Sequence, residues 1–201
     1  MTVKDLSFVF AQSSPIFIPV YAILYGLTSV NYYMVLYGIF ACINILLNFI
    51  IKQIIKFIYN KLGVKTLPLL GTGIRPPGAF NCGLIPSNIK TVSKSYGMPS
   101  GHSQSAWFLF GFMLLYLLDT MKNIDNNNSP KTPLINSVKK PWTAITILLL
   151  LGICTFISVS RIYVGCHTIQ QVVVGGLIGF LFGTLSYLIV KRIVENKSVK
   201  L

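Results

Sequence analysis

The chain has 201 residues, 53% hydrophobic and 10% charged, with a mean hydropathy of +0.69. Soluble domains carry about 25% charged residues, so a surface wholly covered by water is excluded and one membrane-embedded domain is expected. Seventeen Lys and Arg against four acids give a net charge of +13. These basic residues are scattered among apolar spans rather than gathered on one soluble face, which argues against a nucleic-acid partner and for anionic headgroups at membrane ends.

Acid scarcity also limits the chemistry. Asp5, Asp119, Asp125 and Glu195 are dispersed, whereas Mg²⁺ and Ca²⁺ sites need converging carboxylate oxygens. His102 and His167 are too few for a tri-histidine zinc site and no CxxC pair accompanies them. No catalytic metal is expected. Cys42 and Cys154 sit within apolar runs and read as small core residues. Cys82 and Cys166 can reach one membrane face, but spacing alone leaves a disulfide, and the redox compartment, open.

In chain order, Met1 to Gln12 lacks the charged, apolar and small-residue succession of a signal peptide. Five membrane spans are predicted: Pro15 to Val30, kinked by Pro19; Tyr32 to Ile58; Ser100 to Leu118; Trp142 to Val159; and Val172 to Val190. The fold class is therefore all-α, a polytopic membrane helix bundle. A loop over about residues 59–99, rich in Gly, Pro, Lys and Ser, separates spans two and three; loops this long are commonly functional. A second connection, over about 119–141 and containing Asn126-Asn127-Asn128, reads as a solvated linker.

Counting crossings gives the central geometric expectation. Span three crosses and span four returns, so its start at Pro99-Ser100-Gly101-His102 shares a face with Arg161 to His167 and with the long loop. Both histidines, and two of the three arginines, collect there.

The helix start at Ser100 directs unpaired N–H groups and a positive dipole end outward. Gly101 lets an anion oxygen come close, although a plain Pro-Ser-Gly helix start fits as well. Arg161 can snorkel to the interface or grip a phosphate with two parallel hydrogen bonds. His167, on the same short connection, is a nucleophile able to carry a phosphoryl group. On span two, Asn44, Asn48 and Lys52 recur every four residues and share one helix face. Such a stripe either turns into the bundle or serves helix–helix hydrogen bonding. Arg75-Pro76-Pro77-Gly78 stands in the loop.

Lys52 with Arg75-Pro76, Pro99-Ser100-Gly101-His102, and Ser160-Arg161-x5-His167 together resemble the type 2 phosphatidic acid phosphatase superfamily, with its K-x6-R-P, P-S-G-H and S-R-x5-H motifs. The similarity runs from about Ile45 to Gly179. Tyr96-Gly97-Met98-Pro99-Ser100-Gly101-His102-Ser103-Gln104 is similar to the Y-G-M-P-S-S-H-S-Q segment of the dolichyl-diphosphatase branch. His167-Thr168-Ile169-Gln170-Gln171-Val172 also resembles that branch, with Gln171 where most of the superfamily carries Asp. The first motif departs: twenty-two residues separate Lys52 from Arg75, as though about sixteen were inserted, and Lys56 and Lys65 remain alternatives to Lys52.

The resemblance implies a metal-free, cofactor-free hydrolase for a lipid phosphate or diphosphate held in the bilayer. Lys52, Arg75, Arg161, Ser100 and the Gly101 N–H would hold phosphate oxygens. His167 would attack phosphorus, His102 would act as general acid and base, and Gln171 would orient His167. It further implies a luminal or extracytoplasmic catalytic face, in the endoplasmic reticulum for a dolichyl-type enzyme; nine basic residues on one side against eight on the other decide nothing. Gly175, Gly179 and Gly183 form a small-residue face on span five, suited to packing within the bundle or to a homodimer. A phosphatase for lipid monophosphates, and a non-catalytic anion-binding or transport protein, are the competing readings.

Overall fold

The computed structural model describes residues 3–85, 92–93, 95–126 and 133–198. Met1, Asn127 and Asn128, named in the sequence reading, and Lys90, Lys94, Lys131 and Lys200, among the basic residues counted on the two sides, lie outside the described residues. Among the described residues five helices make the architecture: α1 Val3–Thr28, α2 Tyr32–Leu62, α3 Gly101–Asn126, α4 Pro133–Tyr163 and α5 Ile169–Ser198. Each contains a stretch long and apolar enough to cross a bilayer. The all-α membrane bundle expected from the sequence is the observed architecture.

The helices outrun the predicted spans, because backbone hydrogen bonding continues past the hydrocarbon until a stop signal arrives. For α2 that signal is Gly63, left-handed at φ 63°, whose N–H reaches the carbonyls of Asn60 and Tyr59. The loop expected from about 59 therefore starts at Gly63. The predicted linker over about 119–141 is helical at both ends, since α3 runs to Asn126 and Pro141 falls inside α4. Helix α1 begins at Val3 rather than Pro15 and holds both Pro15 and Pro19. Pro15 cannot donate to the Ala11 carbonyl; Ser14 Oγ does so instead, at 3.1 Å.

Tyr37, Phe108, Phe112, Ile157, Tyr187 and Val190 form the core, drawn from α2, α3, α4 and α5. Cys154 is buried with them, but Cys42 is exposed on α2 and is not a core residue. It falls on the outward side of the helix that turns Asn44 and Asn48 inward. Helices α3 and α5 pack most closely. Gly175, Gly179 and Gly183 lie against the α3 backbone at Ser100, Gln104 and Phe108, where any side chain would collide. That face is filled within the chain, which takes away the basis for expecting a homodimer through it. At the far end, Tyr187 Oη and Lys191 Nζ both donate to Asp119, at 2.6 and 2.5 Å, joining α3 to α5.

Between α2 and α3 the chain folds over the end of the bundle. A short hairpin, β1 Thr66–Leu67 and β2 Gly71–Thr72, pairs antiparallel with Thr66 opposite Thr72 and Leu67 opposite Gly71. Tyr59 on α2 anchors it, donating from Oη to the Gly71 carbonyl at 2.9 Å.

Candidate active site

Helix α4 ends in a turn that doubles the chain back over Arg161. Gly165 takes φ 68°, a left-handed conformation that only glycine adopts cheaply. The N–H groups of Cys166 and His167 then both reach the Arg161 carbonyl, at 3.0 and 3.2 Å. This places His167 just before α5, one turn from Gln171.

Gln171 determines the state of His167. Its Nε2 donates to the carbonyls of Thr72 and Ile74, at 2.9 and 2.7 Å. Carbonyls only accept, so the amide orientation follows and Oε1 is the atom turned toward His167 Nδ1, at 2.9 Å. His167 Nδ1 must carry the proton, and Nε2 presents a lone pair. Arg75 Nη1 donates to that Nε2 at 3.0 Å and to the Cys166 carbonyl at 2.9 Å. Burial, then the charges of Arg75 and Lys52, hold His167 well below the usual histidine range. The imidazole is neutral at physiological pH.

The loop that delivers Arg75 is fastened several times. Ser95 takes Arg75 Nε on its carbonyl at 3.1 Å and Nη2 on its hydroxyl at 2.9 Å. A disulfide joins Cys82 to Cys166, with Cα atoms 5.6 Å apart. It links the Arg75 loop directly to the residue preceding His167. Burial lowers the Arg75 guanidinium to about 10, which leaves it charged at neutral pH.

His102, one residue into α3, is buried, and its Nε2 lies 2.8 Å from the main-chain carbonyl of Gln12 on α1. That nitrogen must be the donor, so Nδ1 is unprotonated whenever the ring is neutral. The polar stripe of α2 proves to be helix–helix adhesive over most of its length. Asn48 Nδ2 donates to Gln104 Oε1 at 2.8 Å, and Gln104 Nε2 donates to Asn44 Oδ1 at 2.9 Å. Lys52 ends the stripe and reaches the cavity, whereas Lys56 and Lys65 are exposed away from it.

Lys52, Arg75, Gly101, His102 and His167 share the wall of one cavity of about 240 Å³. Pro15, Ile45, Phe49 and Leu84 supply its apolar side. Ser100 and Arg161 are buried without lining it. Ser100 is committed locally: its N–H donates to the Gln171 carbonyl at 2.9 Å, and its hydroxyl faces the Ser103 N–H at 3.5 Å in the manner of a cap. Arg161 donates from Nε to Ser160 Oγ at 3.1 Å and, with Arg75 and Lys52, acts electrostatically on His102. Among the described residues no three His, Cys, Asp or Glu side chains gather.

Sequence reasoning missed Gln12, Ser95 and the carbonyls of Thr72 and Ile74. For Gln12 a signal existed: Gln12-Ser13-Ser14 is a polar triplet inside an apolar helix, and such groups turn toward the bundle interior. The others are backbone atoms or loop positions with no periodic signature.

Two histidines, an arginine and a lysine thus gather around a helix start at one end of a membrane helix bundle. Residues 33–195 match the PAP2 superfamily, and the chain belongs to that family. It is similar to dolichyldiphosphatase 1 of Homo sapiens, 33% identical over 104 residues that cover 51% of this chain and 40% of that protein. It is also similar to dolichyldiphosphatase 1 of Rhinolophus ferrumequinum, at 38% over 93 residues covering 45% and 35%. Dolichyldiphosphatase of Saccharomyces cerevisiae matches at 34% over 105 residues covering 52% and 38%. The match thus spans 40% or less of the length of these relatives. No solved structure matches the chain.

Proposed function

We propose that the chain is a membrane lipid phosphatase that hydrolyses a polyprenyl, dolichyl-type diphosphate through a phosphohistidine. The observation that carries this reading is the state of His167. Gln171 leaves its Nε2 unprotonated, an acceptor for Arg75 at the wall of a cation-lined cavity. The names of the relatives support the polyprenyl diphosphate as substrate.

The reaction follows from the geometry. An incoming terminal phosphoryl group takes over Arg75 from His167 Nε2, so substrate binding itself uncovers the nucleophile. Lys52, Arg75 and the start of α3 at Gly101 hold the phosphoryl oxygens; Arg161 adds positive charge beside His102. Ser100 contributes by capping the helix. His167 Nε2 bonds to phosphorus as the bond to the bridging oxygen breaks. Protonated His102, held through Nε2–H by Gln12, gives its Nδ1 proton to the leaving lipid monophosphate. Water then attacks the phosphohistidine, His102 Nδ1 takes its proton, the P–N bond breaks and inorganic phosphate departs.

The Cys82–Cys166 disulfide sits at the catalytic end of the bundle. Disulfides persist in oxidising compartments, which supports a luminal catalytic face in the endoplasmic reticulum. The α5 end carrying Asn196-Lys197-Ser198 then lies in the cytoplasm. Asn196 should stay unglycosylated in a eukaryotic host, and a sugar there would reverse the orientation.

The deciding experiment measures phosphate release by purified protein from dolichyl diphosphate, undecaprenyl diphosphate, phosphatidate and lysophosphatidate, each with and without excess EDTA. Preference for the polyprenyl diphosphates, unaffected by EDTA, is expected. Preference for phosphatidate makes this a lipid monophosphate phosphatase. No release from any substrate overturns the enzymatic reading, and loss in EDTA restored by Mg²⁺ or Zn²⁺ overturns the metal-free mechanism.

A further inference from the structure

The family match begins at residue 33, so α1 lies wholly outside it. Yet α1 touches the site. The Gln12 carbonyl accepts from His102 Nε2 at 2.8 Å, across 90 positions of sequence. The side chain of the same residue donates from Nε2 to the carbonyls of Asn81 and Gly83, at 2.9 and 3.0 Å, with Ile85 at 3.3 Å. Pro15 stands three residues on, and its ring presses on the preceding turn and withholds an N–H from it. The Gln12 side chain thus ties the turn that holds its carbonyl to the loop at 81–85.

We infer that Gln12 is a positioning residue for His102, its side chain pinning α1 to the loop at 81–85 and its carbonyl fixing the imidazole tautomer and direction. The inference rests on the proposed acid–base role of His102. The loop end of this contact has other anchors: the Cys82–Cys166 disulfide, Arg75 on the Cys166 carbonyl, and Gln171 on Thr72 and Ile74. Helix α1 at this height is packed into the bundle through the buried Ala11, Ser13 and Ser14, and Phe8 stacks on Tyr163 with ring centroids 5.7 Å apart, so the Gln12 side chain sets where its carbonyl stands rather than whether α1 stays docked. Cutting the side-chain contacts lets the Gln12 turn shift against the loop, and the effect passes to His102 through the carbonyl. Nδ1, the nitrogen turned toward the reacting oxygen, then loses its fixed direction.

The test uses the full chain in nanodiscs with ¹⁵N-labelled histidine. In the unaltered protein, neutral His102, assigned by its loss in His102→Asn, should be the Nε2–H tautomer. An Nδ1–H tautomer refutes the inference whether or not the protein is active, which separates its failure from failure of the proposed function. Gln12→Leu keeps the size and removes the donors. It should mix the two His102 tautomers and lower kcat about tenfold with KM changed less than twofold, a fraction of the roughly 10²–10⁴ that acid–base help supplies. In a His102→Asn background Gln12→Leu should cost nothing more. An additive loss, or an unchanged His102 spectrum in Gln12→Leu, assigns Gln12 to stability alone. If Gln12→Leu does not fold, Gln12→Asn, which keeps the amide one carbon short, must show the same tautomer mixing in milder form.

Discussion

Replacing Gln171 by Leu tests the central claim of the site, that one neutral amide sets the nucleophile. Gln171 is fully buried and serves three groups at once: His167 Nδ1–H at 2.9 Å and the carbonyls of Thr72 and Ile74 at 2.9 and 2.7 Å. Leucine fills similar space and satisfies none of them. A buried polar group left without its partner costs about 1–3 kcal/mol. The two carbonyls belong to a surface loop that can shift and hydrate, so their share falls at the low end, about 1 kcal/mol each. The imidazole cannot follow, because the Arg161 turn holds its backbone. Losing about 1–3 kcal/mol of orientation at roughly 1.4 kcal/mol per decade gives about a 5- to 150-fold fall in the rate of phosphoenzyme formation. Rapid-quench trapping of labelled phosphoenzyme measures that rate directly. Gln171→Glu is the contrasting variant: it keeps an acceptor for Nδ1–H but turns a carboxylate oxygen toward two carbonyls, so it should release the hairpin more than it disturbs the histidine. If Gln171→Leu formed phosphoenzyme within threefold of the unaltered rate, the amide would not be the orienting group.

His167→Ala should abolish the phosphoenzyme, whereas His102→Ala should slow turnover about 10²–10⁴-fold and let it accumulate; labelled phosphoenzyme in His167→Ala would refute the nucleophile. Lys52→Met removes a charged donor from the cavity and should cost about 10² in turnover, while exposed Lys56→Met and Lys65→Met stay within about threefold; a crippled Lys65→Met would place the insertion in the site. Because burial and two cations depress His167 below 6.5, it is unprotonated in the folded state where the unfolded chain already binds a proton. The acid limb of kcat/KM should therefore fall below the ordinary histidine range, and this residue's stabilising contribution, present above 6.5, should fade as pH drops below that value; an acid limb at or above 6.5 would contradict the assignment.

The sequence by itself determined the class of the molecule and the face on which its chemistry gathers. Low charge and apolar runs demand a bilayer, and once spans are counted the ends of α3, α4 and α5 have no choice of side. The Arg161–His167 spacing and the Ser100–His102 helix start are legible because the local backbone realises them within a turn or two. What joins α1, the hairpin and the loop to those ends was not legible. The Gln12 carbonyl under His102, the Cys82–Cys166 bond, and the Gln171 amide reaching Thr72 and Ile74 link positions 84 to 99 residues apart. Such contacts leave no periodic trace, since only one member of each pair needs to be polar and the other is often a backbone carbonyl. The same reason explains the placement of Ser100, which close packing of α3 on the glycines of α5 buries with its hydroxyl facing the Ser103 N–H. Residue types set what the site can do; the tertiary packing decided which lysine enters the cavity, which nitrogen of each histidine carries the proton, and what holds each ring in place.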